Sequence, residues 1–245
     1  MHLRISLHAL IGTLAFAVPA LSAQSESAFT ISPSTYSAYV FIGQSQQMLE
    51  RNHQLIFGES VEASLRRGPG AAGARGSLVT RPVSGSARSS SVPRMLASSY
   101  PDASRAEVEK LFRELMRRYV QIEDQFQVPH GDLAGAAAAF IAGNWMGYRN
   151  EGFPDANFKP LVEQMRGIIS GSTAFAQASD ADKREAYEQL VIIGMLTAGM
   201  QMALKEQPNP QILARLKEAS GGYLQQLLGA EPSRVQISER GFSLR

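Results

Sequence analysis

The stretch DLAGAAAAFIAGNWMGYR, residues 132–149, decides the fold. Asp132 is a good helix N-cap, and the uncharged run after it predicts a helix that extends to about Arg149. Small residues occupy every fourth position of this run, namely Gly135, Ala139, Gly143 and Gly147. Each glycine costs a helix about 1 kcal/mol relative to alanine. Three glycines are therefore expected only where a second helix packs closely against this ridge.

A second uncharged run, LVIIGMLTAGMQMAL at residues 190–204, predicts the helix in the centre of the same bundle. A helix that is apolar on all sides usually lies in such a position. Regularly spaced small residues also occur where membrane helices dimerise. Both runs, however, are shorter than the roughly 20 residues that cross a bilayer, so we predict no transmembrane span in the mature chain. We interpret Met195, Met200 and Met202 as core side chains rather than as a metal or cofactor site.

Helix signals on both sides of these runs extend the helical region to residues 100–245. Apolar residues recur at spacings of three and four before Val128-Pro129, where proline ends a helix, and before Gly229, a common helix terminator. The expected helix starts are Ser104 (in a capping box with Glu107), Asp132, Asp155 or Asn157, Ser179, and Asn209. The predicted fold class is all-α: a single bundle of about five helices, followed by a short extended piece near residues 235–237.

Residues 1–23 have the features of a secretory signal peptide. Arg4 precedes an apolar run at residues 9–18, and small residues lead to Ala23. We predict export by the general secretory route, cleavage after Ala23, and a mature protein that acts in the periplasm or the medium. The alternative is an uncleaved N-terminal anchor.

Two further segments separate the signal from the helical domain. Residues 24–65 predict one short helix near residues 45–57, ended by Gly58, and we expect this segment to dock on the main domain. Its aromatic residues could alternatively form an exposed patch that binds a partner. Residues 66–99 contain six arginines and no acid, and 27 of their 34 residues are Gly, Pro, Ser, Ala or Arg. This composition predicts a disordered linker.

Composition excludes several classes of function. The 245 residues contain 24 Lys and Arg against 22 Asp and Glu, a net charge of only +2. This argues against a nucleic-acid binder. The chain has no cysteine, which excludes disulfides, thiol nucleophiles and iron–sulfur sites. His130 and Asp132 could supply two metal ligands, but no third is evident. The chain also lacks the usual hydrolase and phosphate-loop motifs. We therefore assign no catalytic residue, cofactor or metal ligand.

The best candidate for a ligand or partner surface is the cluster of Asn144, Trp145, Tyr148 and Arg149. Residues three or four apart share one face of a helix. This set combines the only tryptophan with a hydroxyl and a guanidinium, groups that suit stacking on a glycan or a protein hot spot. The alternative is a helix end in which Trp145 packs into the bundle and Arg149 caps the last carbonyls.

Three motifs in order along the chain resemble a family of uncharacterised bacterial secreted proteins with a domain of unknown function. They are residues 131–136 with Trp145, the helix start at residues 180–185, and the ending at residues 237–242. The resemblance covers residues 95–245 and implies an all-helical domain after a signal peptide, without any assigned activity. We expect a non-enzymatic binding or interaction module of the bacterial cell envelope, with an envelope protein or glycan as partner. The alternatives are a carboxylate-dependent hydrolase of envelope polymers and a scaffold piece of an envelope assembly.

Overall fold

A computed structural model of the chain describes residues 41–58, 60–67, 78–80 and 91–245. The predictions for the signal peptide, and those for residues 24–40, 68–77 and 81–90, lie outside this part. The α-helices of the described part are α1 (Phe41–Phe57), α2 (Val61–Arg67), α3 (Val92–Ala97), α4 (Asp102–Phe126), α5 (Leu133–Arg149), α6 (Phe158–Ser170), α7 (Thr173–Gln177), α8 (Asp180–Glu206) and α9 (Pro210–Leu228). A hairpin of β1 (Val235–Ser238) and β2 (Gly241–Leu244) follows them. The all-α prediction is confirmed, and α4, α5, α6, α8 and α9 correspond to the five helices that the sequence predicts for residues 100–245.

The pair of α5 and α8 forms the centre of the bundle. A Cβ atom added to Gly143 would lie 2.8 Å from the carbonyl carbon of Gly194 on α8. One added to Gly194 would lie 2.7 Å from the Cα of Phe140. Real Cβ atoms essentially never approach a neighbour this closely. The expected close packing of the glycine ridge is confirmed, because the two backbones touch where both residues lack a side chain.

Helix α1 packs on the rest of the fold through α9, α6, α7 and α8. The ring Nδ1 of His53 donates a hydrogen bond to the carbonyl oxygen of Leu227 at 2.7 Å. The buried Asn52 donates to Gln189 of α8 at 3.1 Å. Helix α1 ends at Gly58, whose φ of +74° suits glycine. The N-terminal segment thus docks on the bundle over its described residues, and it contains a second short helix, α2, that the sequence did not predict.

The prediction of a disordered linker over residues 66–99 is wrong for two stretches. Leu78 and Thr80 are buried against the turn between α4 and α5. The amide of Leu133 donates to the carbonyl of Leu78 at 3.0 Å, and the amide of Thr80 donates to the carbonyl of Gly131 at 2.9 Å. Further along, α3 buries Val92, Pro93, Leu96 and Ala97. A few apolar side chains and backbone hydrogen bonds suffice to order these stretches, and a count of residue types does not detect them.

Most helix ends agree with the predicted caps. The Asp132 carboxylate accepts from the amides of Ala134 at 2.7 Å and Gly135 at 3.1 Å. Ser179 and Asn209 cap α8 and α9 in the same way. The capping box at Ser104 is wrong, since α4 begins at Asp102 and the Ser104 hydroxyl donates to the Pro101 carbonyl at 3.0 Å.

Two features complete the fold. Gln164 of α6 holds the C-terminal hairpin, because its side chain donates to the Phe242 carbonyl at 2.8 Å and accepts from the Phe242 amide at 2.7 Å. Residues 235–237, predicted as extended, lie in β1 of this hairpin. Over the described ranges, each helix is too short or too polar to cross a bilayer.

Candidate ligand-binding groove

A groove of about 210 Å³ lies on the surface between α1, α7 and α8. Pockets for drug-sized ligands typically measure roughly 300–1,000 Å³, so this groove suits a small molecule or one residue of a larger one. Its lining residues are Arg51, Asn52, Gln54, Leu55, Ala174, Ala178, Asp182, Glu185, Ala186 and Gln189.

On one side of the groove, Ser172 connects the start of α7 to the end of α1. The Ser172 hydroxyl donates a hydrogen bond to the carbonyl of Leu55 at 2.8 Å. The same oxygen accepts from the amide of Phe175 at 3.2 Å, which makes Ser172 the N-cap of α7. The short helix α7 is therefore attached to the end of α1. Leu55, Ala174 and Ala178 all line the groove beside this contact.

The polar side of the groove is a chain of contacts between α1 and α8. Asn52 donates to the side-chain oxygen of Gln189, and Gln189 in turn donates to Oε1 of Glu185 at 2.8 Å. Nη1 of Arg51 lies 4.0 Å from the same Oε1. Asn52 and Gln189 are buried, whereas the Arg51 side chain is 71% exposed. The buried amides thus hold one oxygen of the Glu185 carboxylate, a group that lines the groove.

One of the four residues of the predicted surface cluster is not accessible in the structure. Asn144 is fully buried and donates to the Phe140 carbonyl at 2.8 Å, so it cannot contact a partner. The half-buried Trp145 packs edge-on against Phe153, with ring centroids 6.1 Å apart. The exposed Arg149 lies 3.6 Å from Glu151.

The fourth member, Tyr148, is half-buried on the same helix end. Its ring lies beside Gly221, where an added Cβ would be 3.1 Å from Cδ2 of the tyrosine. The ammonium group of Lys217 lies 5.7 Å from the ring centroid. Trp145, Tyr148 and Arg149 therefore remain the predicted partner surface, without Asn144.

A buried carboxyl group lies under the turn that joins α4 to α5. Oε1 of Glu123 accepts from the amide of Gly131 at 2.9 Å and from the hydroxyl of Tyr187 at 3.0 Å. Within the described ranges, neither its Oε2 nor the hydroxyl of Tyr119 has a hydrogen-bond partner. Burial raises the pKa of Glu123 above its usual range, despite the two hydrogen bonds that lower it. Sequence analysis did not single out Glu123, since an acid in an amphipathic helix resembles any exposed one.

His130 and Asp132, which the sequence analysis considered and did not assign as metal ligands, have different partners in the structure. Nε2 of the exposed His130 donates a hydrogen bond to Oδ1 of Asp124 at 2.7 Å, and this bond raises the pKa of the imidazole. Asp132 is fully buried and pairs with Arg166 at 2.6 Å. In the described part of the chain, no cluster of three or more His, Asp or Glu side chains could hold a metal ion.

The acids of the groove bear on the hydrolase alternative. The arrangement that would favour this alternative is a pair of carboxylates from different helices that face each other across a cleft. Asp182 and Glu185 both belong to α8. The groove therefore does not provide this arrangement.

Sequence reasoning missed the groove because its residues come from three separate stretches, 51–55, 174–178 and 182–189. Each stretch has a local explanation of its own. Asp182 lies in the first turn of α8, where an acidic side chain stabilises the positive end of the helix dipole. Alanine, in turn, is the residue with the highest intrinsic helix propensity, so the alanines do not stand out in the sequence. Only the packing of α1 on α8 brings them together.

Residues 3–245 match the model of a family described as "Family of unknown function (DUF6683)". The match is wider than the resemblance over residues 95–245, since it also includes most of the N-terminal part. No curated protein and no solved structure matches the chain.

Proposed function

The chain belongs to this family of unknown function, and we propose that it is an exported binding module of the bacterial cell envelope that takes a small ligand in the α1–α7–α8 groove. The observation that carries this proposal is the groove itself, which combines small apolar side chains with oriented polar groups. Binding sites typically have this composition.

Export is the second part of the proposal and rests on the sequence of residues 1–23. It is tested by expression of the full chain in a bacterial host, followed by fractionation and N-terminal sequencing. A periplasmic product that begins at Gln24 supports export. A cytoplasmic product that retains residues 1–23 contradicts it.

Ligand binding is tested by thermal shift with a library of small molecules, using the full chain and the variant Ala178→Trp. Ala178 is half-buried at the groove and has an extended backbone just after α7, so a larger side chain there fills the groove with little effect on the helices. A ligand present at 100 times its Kd stabilises a protein by about 2.7 kcal/mol. This corresponds to a Tm increase of about 5–10 °C for a chain of this size.

We expect such an increase for the wild-type chain and its loss in Ala178→Trp. Trp145→Ala serves as the matched comparison, since it truncates the other predicted surface and leaves the groove intact. Ligands whose effect disappears in Trp145→Ala and persists in Ala178→Trp would move the site to the helix end of α5. A library without any ligand sensitive to Ala178→Trp would refute the groove.

A further inference from the structure

We propose that the groove binds a free α-amino acid with an apolar side chain, whose carboxylate pairs with Arg51 and whose ammonium pairs with Glu185. This inference rests on the proposed function, because it names the class of ligand for the same groove.

The charges at the mouth of the groove are paired only loosely. Arg51 and Glu185 lie 4.0 Å apart, and their side chains are 71% and 38% exposed. Exposed ion pairs contribute about 0–1 kcal/mol, so a ligand can separate the two groups at small cost. Arg51 can then bind a carboxylate through two parallel hydrogen bonds.

The carboxylate of Glu185 is oriented before any ligand binds. Its Oε1 accepts from Gln189, which Asn52 holds from the opposite helix. Its second oxygen, Oε2, is a further acceptor that can bind an ammonium group. Asp182 adds a second carboxylate to the same rim, where its Oδ2 accepts from the Ser179 hydroxyl at 2.6 Å.

The signs of the charges favour a zwitterion over a ligand with a single charge. A simple amine would lie beside the Arg51 guanidinium, and a simple carboxylate would lie beside the two acids. The neighbouring cations of α8 are engaged elsewhere. Lys183 lies 4.6 Å from the ring centroid of Phe175, and Arg184 pairs with the buried Glu188 at 2.6 Å. A ligand with adjacent opposite charges fits both sides of the mouth.

The apolar part of the groove sets the size of the ligand side chain. Leu55 and three alanines, at positions 174, 178 and 186, line it. Alanines leave space where longer residues would fill the groove. With a volume of about 210 Å³, the groove suits a side chain of modest size next to the two charged groups.

The test compares three probes that differ by one charge each: L-leucine, 3-methylbutylamine, which lacks the carboxylate, and 4-methylpentanoate, which lacks the ammonium. Affinities are measured by isothermal titration calorimetry with the full chain, and L-alanine and L-valine extend the series to smaller side chains. We expect the best amino acid to bind at least 10-fold more tightly than either singly charged analogue.

Two variants assign the two charges. Arg51→Gln should weaken the binding of L-leucine at least 10-fold without weakening the binding of 3-methylbutylamine. Glu185→Gln should weaken the binding of L-leucine without weakening the binding of 4-methylpentanoate. Arg117→Gln and Glu151→Gln are the matched controls, since Arg117 is 73% exposed in an ion pair on α4 and Glu151 lies after α5. Both controls should bind as the wild type does.

Equal affinity for the three probes, or equal losses in the control variants, would overturn the inference. If library compounds bind in an Ala178→Trp-sensitive manner while no amino acid binds, the ligand class is wrong and the groove remains a binding site. If neither the library nor the amino acids bind, the proposed function fails as well.

Discussion

Two glycines five residues apart on α8 provide a sharp test of the packing of the bundle. A Cβ atom added to Gly194 would lie 2.7 Å from the Cα of Phe140 and 2.8 Å from the carbonyl carbon of Ala139. Both are backbone atoms of α5, which cannot rotate away as a side chain can. A Cβ atom added to Gly199 would meet no described atom within 4 Å apart from its chain neighbours and the nearby backbone of its own helix. Gly194→Ala and Gly199→Ala are therefore the same chemical change in the same helix, with and without a clash.

The expected difference follows from two effects. Replacement of glycine by alanine favours a helix by about 1 kcal/mol, and this gain is common to both variants. Overpacking of a well-filled core costs about 1–3 kcal/mol. For Gly194→Ala we expect an overpacking cost at the upper end of this range, because α5 and α8 must separate to admit the methyl group. Gly194→Ala should thus lose about 2 kcal/mol of unfolding free energy, and Gly199→Ala should gain up to about 1 kcal/mol.

The assay is urea and thermal unfolding of both variants, followed by circular dichroism. A difference of about 3 kcal/mol corresponds to a gap of about 6–12 °C in Tm for a chain of this size. If Gly194→Ala proves as stable as Gly199→Ala, the two backbones do not touch, and the reason we give for the glycine ridge is wrong.

Three further outcomes are expected. Asp132→Ala should lower the free energy of unfolding by about 2–4 kcal/mol, because it removes the cap of α5 and leaves Arg166 without its buried partner. Ser179→Ala, which removes an exposed cap, should lower it by about 1 kcal/mol. Equal losses for the two variants in urea unfolding would contradict this reasoning. Leu78→Ala should lower the free energy of unfolding by about 2–3 kcal/mol, because Leu78 is buried. A loss under about 0.5 kcal/mol in urea unfolding would show that residues 78–80 do not dock on the bundle. Because burial raises the pKa of Glu123 in the folded state, the folded chain binds more protons than the unfolded one above the ordinary glutamate pKa of about 4.3. The contribution of Glu123 to stability should therefore fall as the pH rises above this value, so the wild type should lose stability relative to Glu123→Gln. Parallel stability curves of the two proteins from pH 4 to 7 would refute this reasoning.

The helices were predictable because their signals are local. Asp132, Ser179 and Asn209 each satisfy amides two or three residues ahead, and all three are caps in the structure. The close contact of α5 with α8 was also predictable, since glycines in a helix need compensation from a neighbour. Ser104 shows the limit of such signals: proline at position 101 starts α4 earlier, and the serine then bonds to its carbonyl.

The ordered parts of the supposed linker depend on distant partners. The carbonyl of Leu78 is satisfied by Leu133, and Thr80 pairs with Gly131, more than 50 residues away in the chain. A count of Gly, Ser and Arg over residues 66–99 carries no information on these partners. The same holds for the groove, whose polar side depends on a hydrogen bond between Asn52 and Gln189.

The two charged side chains proposed to bind the ligand differ in how firmly they are held, and we expect this difference to govern which ligands bind. Glu185 and Gln189 project from the part of α8 whose other side is anchored in the core, where Tyr187 donates to Glu123 of α4. That wall cannot shift without disturbing the buried hydrogen bond. On the opposite wall, α1 is also docked on the bundle, but the Arg51 side chain is 71% exposed. We therefore expect α8 to fix the position of the ammonium group, and the Arg51 side chain to adapt to ligands of different size.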